Sequence, residues 1–438
     1  MIEQKNKNNR RNSEYDSFIN SDGYSEIELG ISDAPGSAKK QRTEPARSSV
    51  APKSKKKSNK EDKNANYYLL LSASICVVII FLCSFLTLVI KDKEYSENEK
   101  RYLAQKPLFS FSALADGSFT KDVESYLSDQ FAGRSLLVRT RTAIDIFAGK
   151  KEINGIYIGK KHRLFEKPNK YDEKEISETV KSINELKNNN QKIRTFFTLV
   201  PDSSYILKDY LPNNVILPDQ SKQIKTIYSK LNKSIKTIDV CTPLKNAGEP
   251  ERLYYKTDHH WTTSAAQIAL EPIAKQMGVN ISKTAFKTFA VSNKFKGTLA
   301  ASSGLFNAND LIEITYPESK QEYYVEYVDE EKKSASVFDY NKLNTKNQYE
   351  VFFGGNFAQI DIETTVKSDK VLMVIKDSYA NCFMPMLTDY YSEIVMLDPR
   401  YFQGSIEDVI KKEGVTDILW LYNLNTFLAD SSIRTLSE

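Results

Sequence analysis

Histidine is scarce in this 438-residue chain, with three copies, and cysteine barely commoner, with four. No Cys-x-x-Cys spacing occurs, so the usual zinc and redox signatures are missing. Neither an internal repeat nor a Gly-rich phosphate loop is present, which removes the solenoid and nucleotide-loop readings. An excess of one charge is lacking too. Lys and Arg number 61 against 57 Asp and Glu, a balance that argues against a nucleic-acid binder.

What is present is unevenly distributed. Residues 1–66 are polar, rich in Lys, Asn, Ser and Glu, and carry no helical or strand period, so a disordered cytoplasmic basic arm is expected. Tyr67 to Ile90 then runs without a charge, long enough to cross a bilayer, which takes roughly 20 apolar residues. A cleaved signal peptide would be shorter and nearer the terminus, and a buried core helix would show a polar face. The segment therefore reads as an uncleaved, single-pass transmembrane anchor. Lys53, Lys55, Lys56, Lys57, Lys60 and Lys63 precede it, whereas the basic residues after it are interleaved with acids. By the positive-inside rule the arm is cytoplasmic and residues 91–438 lie outside. Cys76 and Cys83 fall in the span. Cys241 and Cys382 lie outside, where a disulfide is chemically permitted, and the sequence leaves their pairing open.

The outer part opens with a stalk and helical region, 91–165, in which Phe119 to Ala148 reads as one amphipathic helix. Strands and helices alternate between 173 and 275, which signals a parallel sheet covered by helices. A β-rich insertion, a lid or substrate platform, is expected over about 280–366. Alternation resumes with strand Val371–Ile375, helix Tyr379–Tyr390, strand Glu393–Leu397, helix Ile406–Glu413 and strand Asp417–Tyr422. Ser378, Asp398 and Asn423 each fall just past a strand end, where such sheets bind ligands.

Two of the three histidines occur in Asp258-His259-His260-Trp261. An acid, an imidazole and the strand-end hydroxyl of Ser378 are the parts of a nucleophilic serine site. His260 is the expected base, although an isolated histidine is commonly a core residue satisfied by a carbonyl. Asp258 is the expected orienting acid, against a plain helix-capping role before Thr263. Asp377 is the second choice of acid, and His259 reads as structural. A metal reading of Asp-His-His lacks further ligands, His162 being the remaining histidine, so neither metal nor cofactor is expected. Ser378 could equally be a helix cap, a role compatible with nucleophilicity. A transition-state oxyanion needs donors: the backbone N–H of Ser378 or Tyr379, plus an amide side chain. Trp261, Tyr255, Tyr379 and Tyr401 divide evenly between sugar-stacking and core roles. Arg400 positions an anionic sugar group or pairs with a carboxylate. Asp129 and Arg134 read as a structural ion pair.

The segments Tyr254 to Thr263, Lys376-Asp377-Ser378-Tyr379, Asp398 to Tyr401, Phe353-Gly354-Gly355-Asn356 and Asp129 to Arg134 together resemble the DHHW proteins, relatives of the alginate and cellulose O-acetyltransferases. The resemblance covers nearly all of 94–438. It implies an α/β, three-layer SGNH hydrolase-like parallel sheet, circularly permuted, within 166–438, and a triad of Asp258, His260 and Ser378. It places the second oxyanion donor near Asn423 or Asn425, the alternative being Gly355-Asn356 from the insertion. One departure is Lys376, where the acetyltransferases usually have glycine. The implied activity is extracytoplasmic O-acetylation of a cell-wall or exopolysaccharide. The implied acyl donor is a membrane-bound O-acyltransferase of many spans, since acetyl-coenzyme A is cytosolic. A carbohydrate esterase of the same fold is the second reading. A non-catalytic polysaccharide-binding or assembly protein, which Lys376 would favour, is the third.

Overall fold

The computed structural model describes residues 61–437 apart from 97, 98, 100, 306 and 320. The expected basic arm therefore lies almost wholly outside the described residues. The chain divides into two units, residues 1–91 and 92–438. The first carries helix α1, Glu61–Val89, uninterrupted because no Pro or Gly falls in it. Its stretch Asn66–Thr87, 22 residues, is long and apolar enough to cross a membrane. At about 1.5 Å per residue it matches a hydrocarbon core of roughly 30 Å.

In the second unit, α2 (Ser118–Gln130) and α3 (Arg134–Phe147) replace the single helix expected over 119–148. Helix α2 ends where Phe131 turns to ψ 123°, and Gly133, at φ 88°, a left-handed conformation that glycine adopts without a Cβ penalty, sits at the N-cap of α3. Asp129 and Arg134 flank this break, 3.7 Å apart. Each also grips the preceding stalk: Asp129 takes a bidentate pair from Arg101 at 2.8 and 2.6 Å, and Arg134 pairs with Glu99 at 2.8 Å.

The central sheet has eight strands. Helix α4 (Glu173–Asn189) leads into β1 (Arg194–Val200), and α5 (Gln220–Lys230) into β2 (Ile235–Thr237). Helix α6 (Thr263–Met277) follows, capped by the Thr262 side chain and ended by Gly278 at φ 70°. Next come β3 (Phe286–Phe295), short helix α7 (Thr298–Ser303), β4 (Asp310–Pro317), β5 (Tyr323–Tyr327), β6 (Lys332–Ser334) and β7 (Gln359–Thr364). The chain closes with β8 (Val371–Lys376), β9 (Glu393–Leu397), α8 (Ile406–Lys412), β10 (Asp417–Asn423) and α9 (Leu424–Ala429).

Across the sheet the order is β6-β5-β7-β9-β8-β10-β1-β2. From β9 to β2 neighbours run parallel, and β7, β5 and β6 add on antiparallel. Counted from β8, the parallel strands lie in the order second, first, third, fourth, fifth, a doubly wound arrangement whose reversal falls between β8 and β10. The segment 280–366 thus divides: β3 and β4 form a separate antiparallel hairpin, while β5, β6 and β7 widen the main sheet.

Side chains alternate between two cores, as the strand period requires. Phe196, Val200, Leu372 and Val374 enter one core, beneath α6 through Ala266, Leu270 and Ile273. Phe197, Leu199, Met373 and Ile375 enter the other, beneath α4, α5 and α8. Helices on both faces explain why the parallel strands read as continuous apolar runs.

The helix expected over 379–390 is replaced by two short 3-10 turns, Ser378–Ala380 and Met384–Leu387. Pro385 lacks the N–H that a continuing α-helix would need. Cys241 and Cys382 are buried free thiols.

Candidate active site

The Asp258 segment is a tight excursion closed by an isolated bridge between Tyr254 and Trp261. Buried Asp310 clasps it, accepting the Lys256 N–H at 2.7 Å, the Thr257 N–H at 2.8 Å and the Thr257 hydroxyl at 2.6 Å. Within it, His260 Nδ1 lies 2.5 Å from Asp258 Oδ1. The other carboxylate oxygen accepts the Thr298 N–H at 2.8 Å and its hydroxyl at 3.1 Å. Gly297 permits that approach. A Cβ there would fall 2.1 Å from Asp258 Cβ, so the glycine is required for space, its φ of −83° being ordinary.

With Asp258 accepting from Nδ1, the lone pair of His260 Nε2 faces Ser378 Oγ, 2.7 Å away. The ring is clamped between neighbours: Tyr349 stacks on it at 3.8 Å and 16°, and His259 lies at 3.9 Å. Burial, together with adjacent His259, pushes His260 down to about 4, outweighing the opposing pull of Asp258. His259 Nδ1 reaches Thr298 Oγ1 at 2.7 Å. Asp258, His259 and His260 are also the group among the described residues whose ligand-type atoms cluster within 4.8 Å. Their mutual hydrogen bonds and Thr298 explain that closeness.

Ser378 follows β8 after a single residue, Asp377. Asp377 accepts the N–H of Tyr379 at 2.9 Å and that of Asn423 at 3.0 Å, tying the end of β8 to that of β10. This use of Tyr379 N removes it as an oxyanion donor; its hydroxyl is also committed, donating to His259 O. Asn423 is committed too: Oδ1 caps α9, and Nδ2 donates to Asp202 at 2.7 Å. Asn425 turns to Glu166 and Asn169. Neither asparagine lines the cavity at Ser378. Trp261 is fully buried and donates to Tyr379 O at 2.8 Å, so it belongs to the core, as does Tyr255. Tyr401 is exposed beneath Arg400.

Gly355 and Asn356 do line that cavity, of about 260 Å³, with Ser378, His260, Tyr349 and Arg400. Arg400 grips buried Asp398 through Nε at 2.8 Å and Nη2 at 2.7 Å, which selects the carboxylate-pairing role. Lys376, wholly buried, reaches Asp398 and Asn356 Oδ1, each at 3.4 Å. A larger cavity, about 640 Å³, lies beside α3 with Arg101, Arg134 and Asp145 in its wall, and no histidine is among the described residues that line it. Sequence reasoning missed Tyr349, Thr298, Asp310 and Asn381. Of these, Thr298 carried one signal, its place after a glycine.

Residues 157–346 match the family model described as SGNH hydrolase-like domain, acetyltransferase AlgX. The match takes in Asp258 and His260 and stops before Ser378. Among solved structures, a DHHW family protein from Eubacterium siraeum is similar, with 24% identity and a TM-score of 0.56, covering 65% of this chain and 95% of that one. Bacillus cereus PatB1 gives 18% identity and a TM-score of 0.52, covering 62% and 97%. PatB1 carrying a sulfonyl adduct gives 19% and 0.54, covering 63% and 97%. No curated protein matches. The chain thus carries an SGNH hydrolase-like domain with a mixed α/β sheet, as its sequence resemblance implies.

Proposed function

We propose that this protein is a membrane-anchored O-acetyltransferase that acetylates an extracytoplasmic polysaccharide through Ser378, His260 and Asp258. The observation that carries the reading is the hydrogen-bonded run from Ser378 Oγ through His260 to Asp258, at 2.7 and 2.5 Å. In the first half-reaction His260 Nε2 takes the Ser378 proton while Oγ bonds to the acyl carbon. His260 then returns the proton to the departing group. In the second, a sugar hydroxyl gives its proton to His260 and attacks the acyl-serine, restoring Ser378. Asp258 holds the tautomer and stabilises the transient imidazolium. The match to an acetyltransferase family model supports acetyl as the acyl group.

The apolar helix ahead of this domain anchors it, with the basic arm in the cytoplasm and the site outside. Acetyl groups then arrive from a multi-span membrane acyltransferase, and tethering raises the effective concentration of the site near that donor. The full chain in detergent, given 4-nitrophenyl acetate and oligosaccharide acceptors, tests the reading. Mass spectrometry should find one acetyl group on the Ser378 peptide, discharged faster by acceptor than by water. Turnover with the acetyl group on another residue overturns the nucleophile; discharge by water alone makes the protein an esterase.

The pH profile is a second check. His260 must be neutral to accept a proton, and its buried site sets that transition at about 4, below the ordinary 6.5. kcat/KM for a neutral ester should therefore rise through pH 4 and show no acid limb near 6.5.

A further inference from the structure

Position 376 places a fully buried lysine two residues before the serine hydroxyl. Burial pulls the Lys376 ammonium below its ordinary pKa, and the Asp398 carboxylate opposes that pull. The partners here form a continuous run. Arg400 holds Asp398 through both carboxylate oxygens; Asp398 Oδ2 lies 3.4 Å from Lys376 Nζ; Lys376 Nζ lies 3.4 Å from Asn356 Oδ1. Asn381 Nδ2 donates to the same Asn356 oxygen at 3.0 Å.

We propose that Lys376 is a positioning residue, which fixes the Asn356 amide so that Nδ2 serves the oxyanion formed on Ser378. An ammonium has donors and no acceptor, so it can meet only the carbonyl end of an amide. A flipped Asn356 would set its NH2 against both the ammonium and the Asn381 NH2. With Oδ1 occupied on that side, Nδ2 is the end left for the cavity, whose wall Asn356 shares with Ser378. Elimination points the same way, because Tyr379 N, Asn423 and Asn425 are all engaged elsewhere. The lysine charge also polarises the amide toward the position where negative charge develops. The lysine that stands where the acetyltransferases usually have glycine thus supports the oxyanion site. This rests on the reading of Ser378 as nucleophile.

The test compares Lys376→Met, Asn356→Asp and their double variant in the full chain. It measures kcat and KM on an acetyl ester and the Kd of an alkyl boronic acid, which forms a tetrahedral anion on the serine. Asn356→Asp keeps the acceptor for Lys376 and loses the donor, so kcat should fall about 100-fold with KM nearly unchanged. Lys376→Met should lower kcat by about 10- to 100-fold and raise the boronate Kd by a similar factor, and the double variant should be no worse than Asn356→Asp. If Lys376→Met folds poorly, Lys376→Leu, which also lacks both the charge and the donor, carries the same comparison. Multiplying losses in the double variant, or a lowered melting temperature with boronate affinity intact, would overturn the proposal. Failure of the underlying reading looks different: the unmodified protein would then turn over the ester without acetylating Ser378.

Discussion

Ser378→Ala and His260→Ala should each lower kcat by about 10⁴- to 10⁶-fold, and the double variant should lose little more. The hydroxyl without the imidazole keeps its proton, and the imidazole without the hydroxyl has nothing to deprotonate, so either loss disables the same step. KM for a small acetyl ester should change little, because neither atom supplies much ground-state binding. Folding should survive Ser378→Ala, since Asp377, rather than the serine side chain, ties β8 to β10. Single-turnover kinetics of the four proteins checks this: multiplying losses would mean that the two groups serve separate steps.

Gly297→Ala should damage the site severely. Its Cβ would lie 2.1 Å from Asp258 Cβ and 2.6 Å from Asp258 Cα, and backbone cannot swing aside as a long side chain can. The first turn of α7 must move, taking with it the Thr298 N–H and hydroxyl that hold Asp258 Oδ2. Overpacking of this kind costs about 1–3 kcal/mol. Turnover should fall further than stability does, because the displaced carboxylate sets the His260 tautomer. Gly248→Ala is the matched control: no atom lies within 4 Å of its Cβ and its φ is not left-handed, so its effect should stay within about 0.5 kcal/mol. Equal melting temperatures for the two variants would contradict this.

Asp258 and His260 were legible because they stand two residues apart in a chain nearly free of histidine. Ser378 was legible because an apolar run ends just before it. Tyr349, Asp310 and Thr298 belong to common residue types and meet the site only through long-range contacts, which no local pattern announces. The expected helix after Ser378 ignored Pro385, and the expected helix over 119–148 ignored Gly133; both breakers stood in the sequence. Lys376 looked like damage because sequence cannot display Asp398, 22 residues on, as its counter-ion. The parallel sheet with helices on its faces was inferable from alternation, but its strand order and the joining of β5, β6 and β7 to its edge were not, since short alternating strands fit a detached hairpin equally well.

The strands at the middle of the sheet, β9, β8 and β10, are the last to be synthesised, whereas β1 and β2 come off the ribosome early. A nascent chain must therefore wait with β1 open along one side. Its imidazole is already built into the Asp258 turn, yet it has no hydroxyl to activate. A product cut short before β8 lacks Ser378 altogether, so under the proposed mechanism an incomplete molecule could form no acyl-serine.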